Sequence, residues 1–228
     1  PRADEEVFQS TMERTKAMLK NMELNPMITI SDTLNKVMYN NHPLTVRMKA
    51  EDYDKVDYAK AMEMYKDRFA DPNNFTFVFV GNIDVKTFRP LVEQYLASLK
   101  KSKRSENWKN IGLAVNDDNY VTHYRKEMQD PKTSVYMIYN GDMEYNLYND
   151  IYMEVLSDVL DIVYTKSIRE EQGGTYGVGV MGQINNRPED NFMFYIVFDT
   201  NDEVYATLMD IAKAGLKDIA ENGPRQED

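Results

Sequence analysis

Arg169 and Tyr176 are the pair in this 228-residue chain whose types and spacing suggest chemistry. They lie within the run Ser167-Ile168-Arg169-Glu170-Glu171-Gln172-Gly173-Gly174-Thr175-Tyr176-Gly177-Val178-Gly179-Val180, which follows a long apolar-periodic stretch and leads into an alternating one. A guanidinium is a planar fork of donors and a phenol offers one O–H donor, so both suit a peptide carbonyl or the oxyanion formed from it. Gly173-Gly174 reads as a helix stop, because glycine after the last helical residue accepts left-handed backbone. The expected order is therefore helix, stop, strand, with Arg169 on the last helical turn and Tyr176 at the head of the strand. Two plainer alternatives stay open. Arg169 pairs with a nearby carboxylate, or Tyr176 packs as an ordinary strand aromatic.

Other chemistries lack their parts. There is no Cys, hence no thiol nucleophile, thiolate metal site or disulfide framework. No G-x-S-x-G elbow is present, and the glycine cluster around Thr175 lacks a Walker lysine and precedes a strand rather than a helix. The two histidines, His42 and His123, stand far apart with no second His nearby. In an extended chain His123 and Glu127 are roughly 13 Å apart, too far to share one metal. Both histidines read as structural or solvated. A net charge of −11 and a pI of 4.8 argue against nucleic acid or an anionic membrane as partner. The one basic run, Lys100-Lys101-Ser102-Lys103-Arg104, reads as a solvated helix end. No stretch has the apolar length of a membrane span or the form of a signal peptide. A chain that opens on Pro1 and closes on Pro224-Arg225-Gln226-Glu227-Asp228 reads as a piece of something longer.

The elements that must position the pair follow from periodicity and from Gly/Pro punctuation. Helices are expected over 4–24, after an N-cap at Ser31-Asp32, as one turn at 50–56, and over 58–69, 85–99, 146–169 and 203–221. Strands are expected at Phe75–Val80, Tyr120–Lys126, Thr133–Tyr139, Tyr176–Ile184 and Phe192–Phe198, the last two forming a hairpin. Phe75–Val80 is apolar enough to be expected buried on both faces. The fold class is α+β, a mostly antiparallel sheet with helices packed on one face. Residues 1–25 are expected to form a leading helix or the connection from a preceding domain, and 26–228 a single domain. The 15 methionines read as gap-filling, and the tyrosines at 136, 139, 145, 148 and 152 as core and wet surface rather than a peptide-binding wall.

The Arg169–Tyr176 run resembles the R-E-x-x-G-x-x-Y signature in the C-terminal region of the pitrilysin/insulinase zinc peptidases. Asn40-Asn41-His42-Pro43, Tyr65-Lys66-Asp67-Arg68-Phe69 and Phe77-Val78-Phe79-Val80-Gly81-Asn82-Ile83-Asp84 come in the order seen in that family's C-terminal domain. The resemblance spans Phe8 to Gly223 and implies the mitochondrial-processing-peptidase/insulinase-like fold. It implies a parent zinc metalloendopeptidase whose His-x-x-Glu-His site lies in another domain, so that zinc belongs to the parent and this piece alone is inactive. Tyr176 would then donate to the oxyanion, while Arg169, Gly173 and Gly174 would contact peptide or unfolded polypeptide substrate. The implied partner is the N-terminal catalytic half, in the same chain or a second subunit. Periplasm and cytoplasm both stay open, the resemblance leaning to the periplasm. The alternative is a catalytically silent structural or peptide-binding module of the same fold.

Overall fold

The computed structural model describes residues 3–100 and 105–225. The chain divides into two compact units, one made of Pro1–Lys36 with Asn41–Gly112, the other of Val37–Asn40 with Leu113–Asp228. Residues 101–104 of the basic run lie outside the described residues.

The first unit is helical. Helix α1 (Glu5–Met22) starts where Asp4 accepts the Val7 N–H at 3.2 Å. Helix α2 runs Pro26–Met38, so Ser31-Asp32, expected as its cap, lies inside it. The reason is local. Pro26 opens a helix well because its missing N–H needs no partner there, and Asn25 caps by accepting the Met27 N–H at 2.9 Å. Asp32 is used instead to hold Arg47 in a two-pronged pair, at 2.9 Å to Nε and 2.8 Å to Nη2. A 3-10 turn (Ala50–Lys55) and α3 (Tyr58–Phe69) follow as expected. The Tyr58 ring stacks on Phe8 at 4.3 Å while its hydroxyl accepts the Asp4 N–H at 2.8 Å. Helix α4 (Val85–Tyr95) is capped by Asp84, which accepts the Thr87 N–H at 2.9 Å.

Phe75–Val80 corrects the strongest strand expectation. The segment joins no ladder among the described residues and is exposed, Val80 by 94%. Aromatic and β-branched residues choose extended backbone, but a strand also needs a hydrogen-bonding neighbour. Its rings settle on helices instead, Phe75 edge-on to Phe69 at 5.7 Å and Phe79 edge-on to Phe88 at 4.8 Å. Tyr120–Lys126, in the second unit, is likewise outside any ladder among the described residues.

The second unit holds the sheet and the main core. Strands β1 (Thr133–Asp142), β2 (Val178–Asn185) and β3 (Asn191–Thr200) lie in the order β1-β3-β2, all antiparallel. Register places Val135 and Val178 on either side of Phe198, and Met137 and Val180 on either side of Ile196. Helix α5 (Leu147–Tyr164) is capped by Asn146, and α6 (Tyr205–Asn222) ends at Gly223 with φ +73°. The apolar periodicity of α5 and α6 is satisfied on this sheet, and the α+β architecture is as expected. Leu160, Tyr164 and Ile168 pack with Ile196, Phe198, Leu208 and Ala212 in the buried core.

Tyr164 ties the two helices together. It is buried, its hydroxyl donates to the Ala212 carbonyl at 2.6 Å, and burial pushes its phenol well above the ordinary value. A Cβ on Gly215 would sit 2.6 Å from the ring. Near the end of the central strand β3, burial alone would raise the Asp199 carboxyl. Hydrogen bonds from Lys132 and Ser134, with the Lys132 charge, outweigh burial and hold the carboxyl below its ordinary value.

Two outcomes follow for stability. Helix propensity alone makes Gly215→Ala favourable by about 1 kcal/mol. The ring contact instead predicts net destabilisation of about 1–2 kcal/mol, read as a lower thermal midpoint. A depressed carboxyl stabilises fully above its ordinary value and loses that contribution as pH falls through the folded-state value. Asp199→Asn is therefore expected to cost about 0.5 kcal/mol at neutral pH, the pair being half-exposed, and the difference from wild type should shrink in a pH series of melts as pH falls below the ordinary carboxylate range.

Candidate substrate-contact site at the helix–strand junction

The helix carrying Arg169 changes form before it ends. From Thr165 to Glu170 it widens to a π-turn, in which the Glu171 N–H donates to the Lys166 carbonyl at 3.0 Å. Ser167 donates back to the Val163 carbonyl at 2.8 Å. Such a turn adds a residue to the helical repeat and changes which side chains face inward. Here Ile168 is fully buried and Arg169, one position on, is exposed.

The expected stop is present. Gly173 adopts φ +59°, and its N–H donates to the Arg169 carbonyl at 3.1 Å. A Cβ at Gly173 would face open space. Gly174 is different, because a Cβ there would meet Leu208 Cδ1 at 3.1 Å and Val204 Cγ2 at 3.2 Å. Its carbonyl accepts from Thr200 Oγ1 at 2.6 Å, which fastens the junction to the end of β3. Thr175 then folds the chain locally, its hydroxyl donating to the Gly177 carbonyl at 2.9 Å and accepting the Gly177 N–H at 3.2 Å. Tyr176 projects from this turn, two residues before the ladder begins, with 98% of its surface exposed.

Neither plainer alternative describes these two side chains. Among the described residues Arg169 makes no ion pair and Tyr176 packs on no other ring. They stand at the two ends of one short junction, with no bond between them among the described residues. The arrangement can present up to five N–H donors and one O–H donor to an incoming chain.

The sequence-flagged histidines do not make a zinc site. His42 Nδ1 accepts the Leu44 N–H at 3.3 Å and its Nε2 faces the Ile111 carbonyl at 3.3 Å, so both ring nitrogens serve the loop. Among the described residues no three His, Asp or Glu side chains come together as a metal site. The tyrosines form no single wall either, since Tyr136 and Tyr139 are three residues apart on β1 and face opposite sides of the sheet. Thr200, which anchors the junction, escaped sequence reasoning because it acts across 26 positions. The row Asp150, Glu154, Asp158 on α5 was also passed over, though its four-residue spacing is visible in the sequence.

Residues 55–228 match the family model of the peptidase M16 inactive domain. This chain belongs to that family. It is a member of the pitrilysin/insulinase lineage. It is 25% identical over 240 residues to a zinc protease PQQL-like protein of Arabidopsis thaliana, covering 98% of this chain and 25% of that protein. Its fold matches the periplasmic protease PqqL of Escherichia coli at TM-score 0.81 and 19% identity, over 97% of this chain and 24% of that one. A peptidase M16 inactive domain from Pseudomonas fluorescens matches at TM-score 0.71 and 16% identity, over 100% of this chain and 54% of that one. The chain thus spans about a quarter of the length of the first two relatives.

The anchoring bond generates a prediction. Thr200→Val removes one hydrogen bond and is expected to cost about 1 kcal/mol. Amide exchange should quicken at residues 173–177 while β1 and the centre of β3 stay protected. Unchanged exchange at the junction would show that Thr200 does not hold it.

Proposed function

We propose that this chain is the non-catalytic, chamber-closing domain of a zinc metalloendopeptidase, with the zinc held in a part of the enzyme outside this chain. Tyr176 donates to the scissile carbonyl oxygen as negative charge develops on it. Arg169 holds a neighbouring backbone carbonyl of the substrate, Gly173 leaves room for the peptide, and Gly174 keeps the junction seated on α6. The partner is the catalytic half of the same enzyme, and the substrate is peptide or unfolded polypeptide. The compartment we infer is the periplasm, in keeping with the description of the Escherichia coli relative.

The observation that carries this reading is the exposure of both donors at a junction whose backbone is otherwise fastened. Tyr176 is 98% exposed although the alternating pattern would allow it a place in the sheet. A phenol left in water gains little for folding and is free to donate to something that arrives. Donors fixed in advance stabilise charge that appears in the transition state without reorganising at that moment.

The test is cleavage of a quenched-fluorescence peptide library by the full-length polypeptide, with and without chelator. Tyr176→Phe is expected to lower kcat on the order of a hundredfold with little change in KM. Arg169→Ala should raise KM, with Arg169→Lys restoring charge but not the planar fork. Chelator-sensitive cleavage indifferent to Tyr176→Phe would reduce the domain to wall and lid. No cleavage by the folded, zinc-loaded protein would favour a silent structural or peptide-binding module.

A further inference from the structure

Tyr176 has nothing of its own to aim it. Among the described residues its side chain makes no hydrogen bond and no ring contact, and 98% of its surface is exposed. The direction of its phenol is therefore set by the backbone beneath it and by the staggered choices at χ1. That backbone is fastened on either side. Upstream, the Gly174 carbonyl accepts from Thr200 Oγ1 at 2.6 Å, and a Cβ there would press on Leu208 and Val204. Downstream, Val178 enters the ladder opposite Phe198. Only residues 175–177 lie between the two fixed points.

Within that span Gly177 is the loose member. Its φ lies outside the left-handed region and a Cβ on it would face open space, so neither strain nor crowding accounts for the glycine. Glycine has the widest choice of backbone conformations, and left to itself this one would let Tyr176 swing. Thr175 closes that freedom. Its hydroxyl donates to the Gly177 carbonyl at 2.9 Å and accepts the Gly177 N–H at 3.2 Å. One oxygen thus holds both polar groups of the residue beyond Tyr176. A hydroxyl can do this because it is donor and acceptor at once. The β-branch of threonine also narrows χ1, which serine leaves freer.

We propose that Thr175 is a positioning residue for the reaction, its hydroxyl holding the direction in which Tyr176 presents its O–H to the substrate carbonyl. This rests on the reading of Tyr176 as the oxyanion donor. The role is geometric rather than stabilising. Both bonds are exposed, where water competes for the same groups, so folding gains little from them. A catalytic donor displaced by about 1 Å, by contrast, can lose on the order of a hundredfold in rate. The Thr200 bond acts at Gly174 and fixes where the junction sits. The Thr175 bonds fix how the phenol leaves it.

The test uses the full-length polypeptide, with cleavage of a quenched-fluorescence peptide, thermal melts, and fluorine NMR of a fluorotyrosine placed at position 176. Thr175→Val keeps the side-chain shape and loses the hydroxyl. It is expected to lower kcat about tenfold, with KM and the thermal midpoint nearly unchanged. The fluorine resonance should move toward that of the denatured chain. Thr175→Ser should recover most of the lost rate. On a Tyr176→Phe background, Thr175→Val should cost nothing further, because the hydroxyl acts only through the phenol. An equal loss on that background would give the hydroxyl a substrate contact of its own and overturn the proposal. A fluorine resonance that stays in place overturns it too. So does a loss of rate matched by a lower thermal midpoint that serine fails to repair, which marks a structural residue. Full activity of Thr175→Val beside a strong Tyr176→Phe defect sinks this inference and leaves the peptidase reading standing. A displaced resonance with Tyr176→Phe fully active does the reverse.

Discussion

The second unit depends on Tyr164 being buried against the backbone of α6. A ring of that size fits only because Gly215 has no side chain, and its hydroxyl is tolerated in the core only because the Ala212 carbonyl accepts it. That contact fixes where α5 can end. Ile168, four residues on, shares that helix face and reaches the same core, which leaves Arg169 outside. The placement of the guanidinium is thus a consequence of packing, set at some distance from the groups that use it.

The junction itself has little apolar burial of its own. It is held by hydrogen bonds to the end of β3 and within the Thr175 turn, and by the contact of Gly174 with α6. Backbone fastened in this way can carry an exposed side chain without that side chain contributing to stability. Tyr176 is such a side chain.

Electrostatics add a second layer. The chain is acidic throughout, yet its acid is not evenly spent. Asp199 is paired, Asp161 accepts the Val180 N–H, and Asp4 and Asp84 start helices. The carboxylates of Asp150, Glu154 and Asp158 on α5 are exposed and make no ion pair among the described residues.

Much of this was legible in the residues alone. The 3.6-residue periodicity of α1, α3, α5 and α6, the Asp84 and Asn146 caps and the Gly173 and Gly223 stops are local signals, and local backbone preferences obeyed them. The β2–β3 hairpin was equally plain from alternation around a turn. Arg169 and Tyr176 were legible as a motif. What only the tertiary structure decided were properties that depend on a neighbour far along the chain. Phe75–Val80 has the composition of a buried strand and is exposed, because extended backbone is a local choice and a ladder is not. The π-turn, the Thr200 anchor and the exposure of Tyr176 arise from contacts with α6 and β3 that no local pattern announces. Sequence determined which groups could act; the fold decided which of them face outward.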